Sequence, residues 1–277
     1  MQSSSAASDI PLIGVNLVLS PPTHCFTQHS APLITLQLTL LSSPSSSSPS
    51  SLHPGAITLY TEQTPLNIRY ALSHRGFTIR DLTTGQDVNT TFVNNAQRMA
   101  CPRLRVRGCA EEPYFLTLYP PSSDPATTST QKPQIIELSD TFGRRGFRPQ
   151  PWSIVQLGHE VDEAGNPRNI RRSRSVTGVD GLEPGHEYEV GLNVEELRQS
   201  VMWAPVPKED ILLEEGYWGP GRNLEDYPWI SDRPLNFYVG TTKLKVEEED
   251  EDDEEDEDDQ DDQDDDEDDD DNDDDDD

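Results

Sequence analysis

The sequence predicts an all-β fold: an immunoglobulin-like antiparallel β-sandwich with one or two short helices and a disordered acidic C-terminal tail. Three observations carry that expectation. Short stretches with period-two alternation or β-branched enrichment recur along the chain, as half-buried strands require. The 23 Pro and 17 Gly are spread between them and oppose long helices. From Glu247 to Asp277 every residue is Asp or Glu except Gln260, Gln263 and Asn272, and a run that charged and that poor in apolar groups cannot offset its ordering entropy.

The elements follow in order. Residues 1–9 read as a frayed leader, and residues 10–246 as the sandwich domain. Leu12 to Leu19 (LIGVNLVL) is the first strand. In Pro32 to Leu41, Ile34, Leu36, Leu38 and Leu40 form one wholly apolar face, which is the mark of a strand with one side on a core. Ser42 to Ser51 is a low-complexity Ser/Pro loop. Strands are expected at Ala56 to Thr61, Phe77 to Leu82, Tyr114 to Tyr119, Gln134 to Leu138, His186 to Asn193 and Leu235 to Gly240. Residues 120–133 form a second long loop, rich in Pro, Ser and Thr. Thr84-Gly85 closes one turn, and Glu183-Pro184-Gly185 favours a type II turn. Helical signal is confined to the second half: Asn193 caps Val194 to Val201, and Pro207 opens a short helix through Glu215. All four Trp (Trp152, Trp203, Trp218, Trp229) lie in that half, so it is expected to be well packed.

Charge is segregated. The segment 247–277 holds 28 carboxylates, which leaves 25 of the 53 acidic residues on the body against 21 Lys+Arg. The whole chain is at −32, while the body is close to neutral. Such a run attracts basic partners. Glu247, Glu248, Glu249, Asp250, Asp252, Asp253, Asp258, Asp264, Asp270 and Asp277 mark it as the candidate partner-binding segment. The simpler reading is solvation, a bristle that keeps exposed strand edges from associating. A flexible acidic run also accumulates Ca²⁺ or Mg²⁺ weakly, because it builds no defined cage.

The search for chemistry returns little. His186 follows Pro184-Gly185 and is a turn cap or edge residue before it is a general base, since no nucleophile or second His stands at useful spacing. His159-Glu160 and His186-Glu187 do not extend to HExxH. His24, Cys25 and His29 offer soft ligands without a matching second pair, and Cys101 and Cys109 are isolated. No cofactor is expected, because no phosphate-cradling Gly motif is present. Gly143-Arg144-Arg145-Gly146 reads as an exposed loop whose Arg side chains pair with local acids. The basic clusters Arg98 to Arg107 and Arg168 to Arg174 are expected to receive the acidic tail rather than nucleic acid, which the net charge opposes. Arg172 to Thr177 matches a basophilic kinase site only as short motifs often do by chance. Tyr217, Trp218, Tyr227, Trp229, Phe237 and Tyr238 either close the sandwich or form a recognition surface, and closure is the first reading. Asn89-Thr90-Thr91 is a formal sequon that reads as turn and strand.

The start of the chain has neither a basic region nor an apolar core, and no apolar run has the length of a membrane span. Three cysteines fit a reducing compartment, so an intracellular site, cytoplasmic or nuclear, is expected.

The segments HPGAITLYTEQTPLN, FTIRDLTTG, YFLTLYP and GLEPGHEYEVGLN, then Trp203 with KEDIL and finally LNFYV, resemble an uncharacterised family of ascomycete fungal proteins. The resemblance covers residues 54–240 and implies a strand-rich body with no assigned activity. The Ser/Pro insert and the acidic tail depart from it. Taken together, the residues point to a non-enzymatic interaction protein that binds basic proteins through its tail. Its β body followed by an acidic tail matches some histone chaperones in layout alone. The alternatives are an enzyme of unrecognised class, with a site on the long loops around His186, Trp203 and Arg144-Arg145, or a sandwich whose tail only aids solubility.

Overall fold

In the computed structural model, residues 10–27, 30–43, 55–93, 102–121, 134–144, 148–152, 159–161, 167–169, 175–230 and 234–248 are described. The chain is strand-rich. Its strands are β1 (Leu12–Ser20), β2 (Thr23–His24), β3 (Leu33–Ser42), β4 (Ile57–Tyr60), β5 (Phe77–Asp81), β6 (Phe115–Leu118), β7 (Ile136–Thr141), β8 (His159–Val161), β9 (Pro167–Asn169), β10 (Glu187–Leu192), β11 (Met202–Ala204), β12 (Asn236–Val239) and β13 (Thr242–Val246). Among the described residues the helices are α1 (Ile68–Ser73), α2 (Val194–Ser200) and α3 (Lys208–Ile211).

The first sheet has the order β12-β1-β3-β7. Alternation in β1 and β3 works as expected: Ile13, Val15, Leu17 and Leu19 turn inward beside Ile34, Leu36, Leu38 and Leu40, all buried. The outward face carries a polar ladder. Asn16 Nδ2 donates to Gln37 Oε1 (3.0 Å), and Gln37 Nε2 donates to Glu137 Oε1 (2.9 Å). The second sheet, β2-β13-β10-β5, turns Leu244, Val246, Tyr188, Val190, Phe77 and Ile79 inward. The inward residues of both sheets join one apolar cluster. The third sheet, β11-β4-β6, has β4 at its centre with every residue buried. Ile57 and Leu59 belong to the main cluster, while Tyr60 joins Phe115, Ile211, Leu212 and Leu224 in a second one. Inside that sheet a polar relay is fully satisfied: Lys208 N–H donates to Thr117 Oγ1, Thr117 to Thr58 Oγ1, and Thr58 to Val206 O.

Four expectations change. The sheets are mixed, because β1 pairs parallel with β12 and β2 parallel with β13. Parallel neighbours need long connections, and these pairs join the beginning of the chain to its far end. Helix is not confined to the second half. Asn67 Oδ1 accepts from Tyr70 N–H and starts α1, an N-cap that was legible as Asn before IRYALS. Asn193 caps α2 as expected, accepting from Glu196 N–H at 3.1 Å. The helix after Pro207 ends at Ile211, not Glu215, since Leu213 N–H leaves it to bond Arg105 O (2.8 Å). The loop expected from Ser42 begins later: Ser42 ends β3, and its Oγ accepts from Leu12 N–H. Residues 44–51 of that loop, residues 1–9 and residues 122–133 lie outside the described residues.

Candidate functional site

Asp81 ends β5 and is buried. Its Oδ1 accepts the N–H groups of Thr83 (2.8 Å) and Thr84 (3.1 Å), which shapes the turn into Gly85 at φ +74°. Its Oδ2 lies 2.9 Å from His186 Nδ1. Burial works against the Asp81 charge, but the bonds from His186, Thr84 and Thr83 outweigh it and hold the carboxyl below the usual carboxylate range. His186 is positioned by the expected turn, with Gly185 at φ +77°. A carboxylate at Nδ1 places a proton on that nitrogen, and in the neutral tautomer Nε2 is left as an acceptor. Among the described residues Nε2 has no hydrogen-bond partner. Tyr188 stacks near His186, with ring centroids 6.2 Å apart. Its hydroxyl accepts from Glu183 N–H (2.9 Å), and burial pushes its pKa up to about 12.

These groups line a cleft of about 300 Å³. Trp152 forms another wall and is held by its N–H to Leu182 O (3.2 Å). Gly181 lies beside it in left-handed backbone, φ +88°. Asp87 and Glu183 add carboxylates to the lining, which contains no Lys or Arg among the described residues. A second cleft, of about 380 Å³, mixes Arg75 and Arg80 with Asp87 and Glu189 and so presents no single sign of charge.

The acidic segment starts at the rim of the first cleft. Gly185 N–H bonds Val246 O (2.9 Å), and Val246 N–H bonds His186 O (3.0 Å). Glu247 N–H bonds His24 O (2.8 Å). A Cβ on Gly185 would meet Glu248 Oε1 at 2.6 Å, so the Glu248 side chain lies over the turn that carries His186. Glu247 and Glu248 are therefore attached to the body. Glu249, Asp250, Asp252, Asp253, Asp258, Asp264, Asp270 and Asp277 lie outside the described residues.

The other candidates disperse. Trp203 is buried in the main cluster and does not line the cleft. Arg144 acts on the half-buried Asp180, and Arg145 lies outside the described residues. Of the three groups proposed for a loop-borne enzyme site, only His186 reaches the cleft among the described residues. Arg103 pairs with Glu225 (2.7 Å), Arg105 donates to the carbonyls of Gly221 and Ile211, and Arg107 to that of Glu209. The described part of the first basic cluster is thus engaged within the body. Thr177 bonds Thr91 Oγ1 (2.7 Å) and pairs with Asp180, an arrangement that hinders modification of its hydroxyl. Thr90 forms an isolated bridge to Val176, and Asn89 and Thr91 on either side belong to neither a turn nor a strand. The late aromatics divide. Tyr227 and Trp229 pack on the second cluster and Phe237 on the first, whereas Trp218 is 81% exposed and Tyr238 71%. Trp218 therefore contributes no packing to the half it was expected to help fill.

Cys25 and Cys109 are free thiols. Among the described residues no cluster of three His, Cys, Asp or Glu could hold a metal. No described helix is long and apolar enough to cross a membrane. Comparison with family models, with curated proteins and with solved structures finds no match.

What the cleft can do follows from its groups. It offers acceptors, carboxylates and an indole wall, with no hydroxyl or thiol on His186 Nε2. The His186–Asp81 pair was missed because its halves stand 105 positions apart. The signal was two turns, Asp before Thr-Thr-Gly and Pro-Gly before His, which the sheet brings together.

Proposed function

We propose that this is a non-enzymatic interaction protein that binds basic polypeptides through its C-terminal acidic segment, with the body adding selectivity. The observation that carries the reading is the segregation of charge: 28 of 53 acidic residues stand in 247–277, beside a body close to neutral. Charge placed this way attracts at long range without shape, so association is fast and weakens as salt shortens the Debye length to roughly 8 Å at physiological strength. The body is best read as an immunoglobulin-like sandwich. Two four-stranded sheets that share one apolar cluster support that reading. The test is a salt titration of binding to histones and to an unrelated basic peptide, with the full chain and with a chain ending at Glu248. The expected result is strong binding at low salt that shortening weakens, together with a salt-resistant remainder that prefers one ligand. Equal affinity for both chains at every salt overturns the proposal.

One observation favours a second reading. The His186–Asp81 pair in a cleft has the geometry of an oriented base. A panel of hydrolysable esters and amides tests it, and turnover abolished by His186→Gln would favour an enzyme.

A further inference from the structure

We infer that the cleft between Trp152 and the His186–Asp81 pair is a pocket for a cationic side chain, lysine or arginine, of the polypeptide that the acidic segment attracts. The inference rests on the binding function proposed above and gives the body its part in it.

Three observations converge. Among the described residues the lining holds Asp81, Asp87 and Glu183 and no Lys or Arg, so the charge they bring has one sign. His186 is bonded through Nδ1 to Asp81 and leaves Nε2 without a hydrogen-bond partner among the described residues, a nitrogen that accepts from an N–H donor when the ring is neutral. The indole of Trp152 stands on the same cleft, and an aromatic wall beside carboxylates is a favourable setting for an alkylammonium or guanidinium group. A volume of about 300 Å³ is at the small end of ligand sites and fits one extended side chain rather than a folded element. Position supplies the rest. Val246 is hydrogen-bonded to both Gly185 and His186, and Glu248 lies over Gly185, so the acidic segment departs from the rim of this cleft.

The experiment measures fluorescence anisotropy of fluorescein-labelled octalysine and octaarginine at low and near-physiological salt. Four chains are compared: full length, full length with Asp87→Asn and Glu183→Gln, the chain ending at Glu248, and that shorter chain with both substitutions. Both positions are at the cleft surface, and a thermal melt of each chain confirms folding. The substitutions are expected to weaken near-physiological binding about tenfold in the full chain and to abolish what the shorter chain retains. Addition of octaarginine should shift the Trp152 indole N–H resonance, assigned through Trp152→Phe. If the substitutions change nothing in either chain and the indole signal stays still, the pocket is refuted while the acidic segment keeps its role. If shortening changes nothing but the substitutions weaken binding, the pocket stands and the role of the acidic segment falls. If neither shortening nor the substitutions change binding, both roles fall.

Discussion

His24 stands edge-on to Phe26, with ring centroids 4.8 Å apart, and neither ring nitrogen has a hydrogen-bond partner among the described residues. Burial lowers its pKa from 6.5 to about 4, so the folded protein holds the ring neutral. The unfolded chain takes up the proton first. Stability is therefore full above pH 6.5, falls as pH drops from 6.5 towards 4, and loses no more from this group below that. The total is up to about 3 kcal/mol. Denaturant midpoints across that range should show the slope, and His24→Leu should flatten it. At pH 7 the same substitution should not destabilise, because it removes two unsatisfied polar atoms that cost about 1–3 kcal/mol. A steep loss on His24→Leu at neutral pH would show that the nitrogens are satisfied after all.

Trp203 and Trp218 give opposite expectations. Trp203 is 4% exposed and packs in the main cluster, so Trp203→Ala should cost about 3–5 kcal/mol. Trp218 is 81% exposed and rests only on the Arg222 guanidinium, 5.0 Å from its ring, so Trp218→Ala should change stability by less than about 1 kcal/mol. Chemical denaturation of both variants distinguishes them, and similar losses would contradict the packing described.

Gly178 and Gly85 both have left-handed backbone, φ +63° and +74°. At Gly85 an added Cβ meets nothing within 4 Å, so Gly85→Ala should cost only the conformational penalty of about 1–2 kcal/mol. At Gly178 the same atom runs into the backbone carbonyl of Phe142, so Gly178→Ala should cost clearly more. Melting temperatures of the two variants, in that order, check the turn geometry.

A chain ending at Glu248 should unfold cooperatively with an unchanged or raised melting temperature, because the removed residues add self-repulsion. A chain ending at Leu244 should lose about 2–3 kcal/mol, since it sheds the fully buried Val246 and its bonds to Gly185 and His186. Equal melting temperatures for the two truncations would exclude β13 from the core.

The strands were legible where pattern and burial agree. The apolar face Ile34, Leu36, Leu38, Leu40 is buried as its alternation requires. The outward Lys243 and Lys245 with inward Leu244 and Val246 carried the same signal in β13, but the acidic run beginning at the next residue obscured it. The two-residue β2 and three-residue β11 are too short for periodicity, and they exist because neighbouring strands pair with them. Parallel pairing of β1 with β12 is a tertiary event that no local window contains. The cleft was unreadable for the same reason: His186 was noticed and Asp81 was not, and only the β5–β10 register joins them.

Attachment of Glu248 over Gly185 has a kinetic consequence. Five residues span at most about 18 Å, so the carboxylates of Asp252 and Asp253 are tethered within that radius of the turn. A basic chain caught there, as proposed, would no longer search for the cleft from bulk solution. It would meet the cleft at an effective concentration near the millimolar scale set by short tethers. A pocket too weak to hold a lone cation would then lengthen the lifetime of the complex, and the acidic segment and the cleft would act as one bivalent receptor.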